Sequence, residues 1–265
     1  MSGATAMAQP AGAPGQTDGV ILEATGLTKD FRGFTAVNNV DLRIARGTIH
    51  ALIGPNGAGK TTVFNLLTKT LEPTKGKIIY NGVDISRTSP ADVARLGMVR
   101  SFQISAVFPH LTVRENVRVA LQRNLGTSFH FWRSEKSLDV LNERVRELLA
   151  WVGILDWIDH RAADLPYGRK RALEIATTLA LDPEMLLLDE PMAGLAHEDI
   201  GRISDLIRKV AADRTVLMVE HNLSVVADLS HRITVLQRGE ILVEGTYDEV
   251  SNDPEVQRAY MGTGA

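Results

Sequence analysis

The sequence predicts an α/β fold built around a phosphate-binding loop. Residues 54–61 read Gly-Pro-Asn-Gly-Ala-Gly-Lys-Thr and fit the pattern G-x-x-x-x-G-K-[S/T] at every fixed position. The mostly apolar stretch 49–53 predicts a buried strand before the loop, and 62–67 predicts a helix with an apolar face after it. A second apolar run, 185–188, ends in two acids and predicts another buried strand.

The loop predicts a nucleotide, ATP or GTP, as the ligand. Strand, glycine-rich turn and helix together point backbone N–H groups at a phosphate, and the helix dipole favours the anion. Lys60 would reach the β- and γ-phosphates, and the Thr61 hydroxyl would bind Mg²⁺. A chance glycine-rich loop is the alternative, which the flanking strand and helix disfavour. The residues expected to contact the nucleotide are Gly54, Pro55, Asn56, Gly57, Ala58, Gly59, Lys60, Thr61 and Thr62.

Two acids follow the second apolar run, Asp189 and Glu190. Ligands of open α/β sheets bind at the carboxyl ends of the strands, where these acids lie. In a protein with a phosphate-binding loop, an acid at this position holds Mg²⁺, usually through water. Burying two adjacent acids is costly without a cation or a catalytic duty. Asp189 is therefore a candidate magnesium ligand and Glu190 a candidate general base, with a charged turn as the alternative.

Three further residues are weaker candidates. His221 follows a predicted buried strand on the ligand side of the sheet, and structural and functional roles are equally open. Gln103 ends a predicted strand and could bond a metal-bound water, although most glutamines are solvated. Phe31 lies in a turn-rich link, where it offers a π-face to a nucleotide base or packs in the core.

Composition excludes several classes of function. The net charge of −3 over 265 residues argues against a nucleic-acid binder driven by bulk electrostatics. The absence of cysteine removes disulfides, thiolate metal sites and cysteine catalysis, and suits a reducing cytosol. No apolar stretch approaches the roughly 20 residues that span a bilayer. Residues 1–19 lack the features of a secretory signal and predict a disordered tail, so a membrane role would need a partner.

The remaining chain, 20–265, is expected to form one nucleotide-binding domain. Alternating apolar residues over 20–24 and 40–44 predict an N-terminal antiparallel β subdomain. The alternation then gives way to helical periodicity, so a helical subdomain, about 104–180, is inserted in the core. The basic run 167–171 opens a helix and is either an anion site or a solvated helix face, the latter being favoured. The predicted fold class is thus a P-loop NTPase core with a mixed sheet, an antiparallel β subdomain and a helical insertion.

In this order, the motifs resemble those of an ATP-binding cassette (ABC) ATPase subunit, from about residue 20 to 261. The resemblance implies that Phe31 stacks on adenine, and that Asp189 and Glu190 are the magnesium acid and the general base. It implies that His221 contacts the γ-phosphate. It further implies that Gln103 touches the magnesium site and links the nucleotide to a transmembrane partner. ATP and Mg²⁺ are the implied cofactors.

The resemblance also implies a signature segment at 165–169, through which Tyr167, Gly168 and Arg169 face the ATP of a second subunit. The enzyme would then be a head-to-tail dimer with two ATP molecules at its interface. The family usually has L-S-G-G-Q here, whereas this chain has Pro166 in place of the serine and keeps one glycine. Losing that hydroxyl would remove one charge-assisted hydrogen bond to the γ-phosphate, worth about 1.5–3 kcal/mol. The usual D-loop aspartate is replaced by Ala196.

The altered signature is similar to that of the ATPase subunits of branched-chain amino-acid importers. Four further stretches are also similar to these subunits, namely 171–176, 190–195, 219–222 and 253–262. Such importers pair two ATPase subunits, usually different ones, with two permeases and a periplasmic or extracellular substrate-binding protein. This implies a peripheral location on the cytoplasmic face of the membrane. No nucleic-acid partner is expected, because the chain has no excess of basic residues. The alternatives are a urea or short-chain amide importer, a lipopolysaccharide-type exporter, a soluble non-transport ABC ATPase, and a regulatory subunit that scarcely hydrolyses ATP.

Overall fold

The computed structural model describes residues 19–101, 107–122 and 141–261. Within these ranges, four strands form an antiparallel sheet with the order β2-β1-β4-β5. They are β1 (Val20–Phe31), β2 (Phe34–Ala45), β4 (Lys75–Tyr80) and β5 (Val83–Asp84). Leu22 pairs with Ile44 and Ala24 with Leu42, and all four side chains are buried. The alternating pattern therefore marks one buried face, and the predicted antiparallel subdomain is present.

The second sheet has six strands in the order β10-β9-β3-β8-β7-β6. They are β3 (Ile49–Ile53), β6 (Met98–Ser101), β7 (Met185–Asp189), β8 (Thr215–Val219), β9 (Arg232–Gln237) and β10 (Glu240–Gly245). All neighbours are parallel except β9 and β10, which form an antiparallel hairpin. The prediction of a mixed sheet is confirmed.

Nine α-helices lie in the described ranges. They are α1 (Lys60–Leu67), α2 (Pro90–Arg95), α3 (Val113–Gln122), α4 (Asn142–Trp151), α5 (Tyr167–Leu179), α6 (His197–Ala211), α7 (Leu223–Leu229), α8 (Tyr247–Ser251) and α9 (Pro254–Met261). In these same ranges, no helix has both the length and the apolar character that crossing a membrane requires.

Two apolar cores cover the two faces of the six-stranded sheet. Every residue of β3, β7 and β8 is buried, as expected for parallel strands covered on both sides. One core joins the sheet to α1 and to the antiparallel sheet, with Phe64 and Tyr80 fully buried. The other core joins the opposite face to α3–α9. The strands are therefore covered on both faces, and the residues that follow their carboxyl ends lie at one edge of the sheet.

The described part of the predicted helical subdomain contains α3, α4 and α5. Helix α3 begins with a reciprocal capping pair, in which Thr112 N donates to Glu115 Oε2 (2.6 Å) and Glu115 N to Thr112 Oγ1 (3.2 Å). The limits of the subdomain, about 104–180, stay a prediction. The predicted tail, 1–19, and Gln103 lie outside the described residues, except for Gly19.

Candidate active site

The phosphate-binding loop connects β3 to α1, as its pattern predicts. Gly54 has φ +147°, and a Cβ there would lie well inside the contact distance of the Leu236 carbonyl oxygen. Only glycine fits this approach of the loop to β9. Ala58 is buried, its N–H donates to Pro55 O (3.1 Å), and its carbonyl accepts from Gly239 N (3.0 Å). The loop is thus anchored to the sheet at both ends.

The tip of the loop faces outward. Asn56 and Gly57 are exposed, and Gly59 directly precedes α1. Of the two threonines after Lys60, Thr61 is exposed and Thr62 half-buried. The Thr61 hydroxyl, on the first turn of the helix, is therefore open to a ligand bound over the loop.

Lys60 folds back over the loop. Its ammonium donates to Gly54 O (2.7 Å) and Pro55 O (3.0 Å), and the residue is only 9% exposed. Burial lowers the pKa of the Lys60 ammonium, while the nearby carboxylates of Glu190 and Asp189 oppose that shift. Backbone carbonyls are neutral acceptors and bind an ammonium less strongly than an anionic phosphate does. A bound phosphate can therefore replace them as the partner of Lys60.

Asp189 is the last residue of β7, and its side chain is 1% exposed. It forms an ion pair with Arg100 on the neighbouring strand β6. The carboxylate of Asp189 and the hydroxyl of Thr61 are hard oxygen donors, the kind that Mg²⁺ prefers. These two residues fit the predicted magnesium site.

Glu190 and His221 meet because their strands are parallel neighbours. Asp189 pairs with Val219 in the register of β7 and β8, so the residues that follow each strand emerge side by side. Glu190 Oε1 lies 3.9 Å from His221 Nδ1. The Glu190 side chain is 30% exposed and that of His221 is 62% exposed, so both can reach a ligand.

Glu190 has a left-handed backbone conformation, with φ +46°. Non-glycine residues persist in this region only where the surroundings hold them. Here Glu190 N donates to Val219 O (2.9 Å), and Arg171 Nη2 donates to Glu190 O (2.9 Å). The backbone that presents the carboxylate is therefore fixed from two sides.

Arg171 holds the backbone carbonyl of Glu190, and the sequence pattern misplaced it. The basic run 167–171 favoured a solvated helix face, but Arg171 is 5% exposed. Besides Glu190 O, it donates to Pro191 O (3.0 Å) and Glu174 Oε2 (2.6 Å). The prediction is wrong for this residue because the first turn of α5 packs against the link that follows β7. The available signal is helical spacing, since Arg171 lies four residues before Ile175 and eight before Leu179, which are buried on the same face of α5.

Glu220 was also missed. It is 1% exposed, and its carboxylate accepts from the backbone N–H groups of Met192 (3.0 Å), His221 (2.9 Å) and Asn222 (3.1 Å). It therefore joins the link after Glu190 to the link that carries His221. The signal for it is the one that identified Glu190, an acid directly after a buried apolar strand.

The predicted signature residues contact their own chain. Tyr167 donates its hydroxyl to Ala193 O (3.1 Å), and Arg169 Nη1 donates to Gly153 O (2.7 Å). A Cβ at Gly168 would overlap the carboxylate of Asp199 on α6, so a larger residue there would require the Asp199 side chain to move. The Tyr167 side chain is about half exposed to solvent. Its contact with a partner's ATP stays a prediction.

Phe31 ends β1 and is 44% exposed, with the Lys29 ammonium 5.2 Å from its ring. This exposure removes ordinary core packing as its role. The π-face is open to a ligand, and stacking on adenine stays a prediction.

Comparisons with known proteins bear on this site. The sequence profile of the family described as ABC transporter matches residues 37–193, more than half of the chain. The chain belongs to the ABC transporter family. It is therefore an ATP-hydrolysing, nucleotide-binding subunit, as its motifs suggested. A second profile, described as branched-chain amino acid ATP-binding cassette transporter, matches residues 240–265.

Individual relatives of this ABC ATPase agree. It is 38% identical over 252 residues to the high-affinity branched-chain amino acid transport ATP-binding protein BraF of Pseudomonas aeruginosa, covering 91% of this chain and 98% of the relative. It is 39% identical over 254 residues to LivG of Escherichia coli, a protein of the same description, with the same coverage. A crystal structure of the ADP conformation of an ABC transporter's ATP-binding cassette superposes with a TM-score of 0.80 at 28% identity, covering 92% and 99% of the two chains. The predicted fold and family are confirmed.

Replacing Lys60 with alanine tests the phosphate-binding loop of this ABC ATPase. We expect ATP affinity to fall at least about tenfold, because a charge-assisted hydrogen bond to phosphate is lost. Isothermal titration calorimetry of the full chain measures this. Lys77→Ala is the matched control, since Lys77 is 58% exposed and pairs with Asp84 on the antiparallel sheet. Equal ATP affinity for Lys60→Ala and Lys77→Ala would contradict the assignment.

Proposed function

We propose that this ABC ATPase powers an importer of branched-chain amino acids. The observation that carries the proposal is the match of its C-terminal residues 240–265 to a branched-chain amino acid cassette profile. The names of BraF and LivG, relatives along nearly their whole length, support the same solute class. Importers of urea or short-chain amides and lipopolysaccharide-type exporters are the alternatives, and neither has this support. A soluble non-transport ATPase is disfavoured because these relatives are described as transport proteins.

In the proposed mechanism, Glu190 accepts a proton from the water that attacks the γ-phosphate. Lys60 and His221 stabilise the negative charge that develops on the transferred phosphoryl group. Thr61 and Asp189 would hold Mg²⁺, which neutralises phosphate charge when bound. The left-handed backbone at Glu190, fixed by Val219 and Arg171, keeps the carboxylate in place during the reaction.

The proposed assembly has a second ATPase subunit, two permeases and a substrate-binding protein. Tyr167 and Gly168 lie at the start of α5, where a helix N-terminus favours an anion such as the γ-phosphate of a partner's ATP. Pro166 brings no hydroxyl to that interface, so we expect the second subunit to be a different chain. Binding to permeases would place the protein on the cytoplasmic face of the membrane.

Glu190→Gln tests the general base. We expect ATP binding to be retained and hydrolysis to fall by about 10²–10⁴-fold, the usual contribution of general base catalysis. Phosphate release from the reconstituted complex measures the rate, and calorimetry measures the binding. Glu184→Gln is the matched control, because Glu184 lies just before the other end of β7, paired with Arg46. Turnover of Glu190→Gln close to that of Glu184→Gln would show that Glu190 is not the base.

The solute class is tested by purifying the chain together with its permeases and substrate-binding protein. We expect leucine, isoleucine or valine to bind to the purified binding protein and to stimulate ATP hydrolysis by the reconstituted complex. Urea and acetamide serve as comparison solutes in the same assay. Stimulation by urea or acetamide alone would overturn the proposed solute while leaving the ATPase assignment intact.

A further inference from the structure

Arg100 is a largely covered cation that neither the motifs nor the proposed mechanism uses. It lies on β6, where it pairs with Leu187 of β7, and its side chain is 11% exposed. Its guanidinium donates through Nη2 to Asp189 Oδ2 and through Nη1 to Asn65 Oδ1 (2.5 Å). The guanidinium carbon also lies 5.7 Å from the centre of the Phe64 ring. Arg100 therefore connects the predicted magnesium acid to α1, the helix that Lys60 begins.

The position of Arg100 neutralises the charge of Asp189 but leaves one hydrogen-bond donor of Arg100 without a partner. The Asp189 side chain is 1% exposed and needs a cation nearby, because an isolated buried carboxylate is costly. By contrast, the buried Nε of Arg100 has no hydrogen-bond partner among the described residues. The Nε–H donor is thus left unused in this position. This is expected if the charge of Asp189, and not the hydrogen bonds of the guanidinium, holds Arg100 in place.

Mg²⁺ and Arg100 would both interact with the carboxylate of Asp189. The site rests on the proposed function, in which Asp189 is the acid that holds Mg²⁺. Two cations drawn to one carboxylate repel each other, most strongly where water is excluded. Arrival of Mg²⁺ should therefore weaken the bond between Arg100 and Asp189, and that bond should oppose Mg²⁺.

We propose that Arg100 is a positioning residue that acts as the internal counter-ion of Asp189 and is replaced there by Mg²⁺. It keeps the buried acid neutralised before nucleotide binds. It also sets the Mg²⁺ concentration at which the chain holds ATP tightly. Since Arg100 also binds Asn65, its release from Asp189 leaves it attached to the phosphate-binding helix.

The test compares Arg100→Met, which removes the charge, with Arg100→Lys, which keeps it. ATP affinity of the full chain is measured by calorimetry over a series of Mg²⁺ concentrations and in EDTA. For Arg100→Met we expect the Mg²⁺ concentration that gives half of the full effect to fall about tenfold, as for loss of one charge-assisted hydrogen bond. Arg100→Lys should shift it in the same direction but less, because it keeps a cation without the guanidinium fork.

A second readout separates this role from a merely structural one. Without nucleotide, Arg100→Met should melt at a lower temperature than the wild type, because Asp189 is left without its counter-ion. Mg²⁺ with ATP should restore more of the melting temperature in Arg100→Met than EDTA with ATP does. If Arg100→Met does not fold, the shift in Arg100→Lys still decides the question.

Arg46→Met is the matched control. Arg46 pairs with Glu184 (3.2 Å) at the amino-terminal edge of the same sheet, so its loss should leave the Mg²⁺ requirement unchanged. An unchanged or higher Mg²⁺ requirement in the Arg100 variants would overturn the proposal, as would an equal shift in Arg46→Met. If wild-type ATP binding itself is independent of Mg²⁺, the assignment of Asp189 fails, which is a failure of the proposed function and not of Arg100 alone.

Discussion

The active edge of the sheet depends on the backbone contact between Gly54 and Leu236. The loop leaves β3 directly against the carbonyl of its parallel neighbour β9, closer than any side chain allows. This contact directs the loop over the end of the sheet, and α1 then begins at Lys60. The loop and both acidic links thus emerge at the same edge, because β3, β7 and β8 run in parallel. The chemistry of the site follows from this arrangement of backbone.

Charge at this edge is closely balanced before any nucleotide binds. Lys60 lies between loop carbonyls and is near both Glu190 and Asp189, while Arg100 pairs with Asp189. A phosphate and its metal ion would therefore enter a site whose cations and anions already hold one another. Binding of the nucleotide and its metal ion would therefore exchange the partners of these charged groups. The cost of exposing each charge is then offset by the ligand that replaces its partner.

The sequence predicts those parts of the site that depend on local pattern. The glycine spacing of the loop and the acids after the apolar run of β7 are local features, and the structure brings them together. Arg171 escapes such reasoning, because its bond to Glu190 O spans 19 residues of chain. Glu220 carries the same local signal as Glu190, but its bond to Met192 N spans 28 residues, so its role depends on the tertiary structure. For Arg171 the local pattern misleads, since the two basic residues before it, Arg169 and Lys170, are only half-buried, whereas Arg171 is buried. The roles of Tyr167, Gly168 and Arg169 toward a second subunit depend on the nucleotide site of that subunit, which a single chain does not include.

A crystal structure of the chain with Mg²⁺ and a non-hydrolysable ATP analogue tests the central claim most directly. We expect Lys60 to leave the carbonyls of Gly54 and Pro55 and to bond the phosphates inside the loop. We also expect Mg²⁺ beside the Thr61 hydroxyl and on the side of Asp189, with the γ-phosphate facing Glu190. Phosphates bound outside the loop, or Lys60 still held by both carbonyls, would contradict the claim.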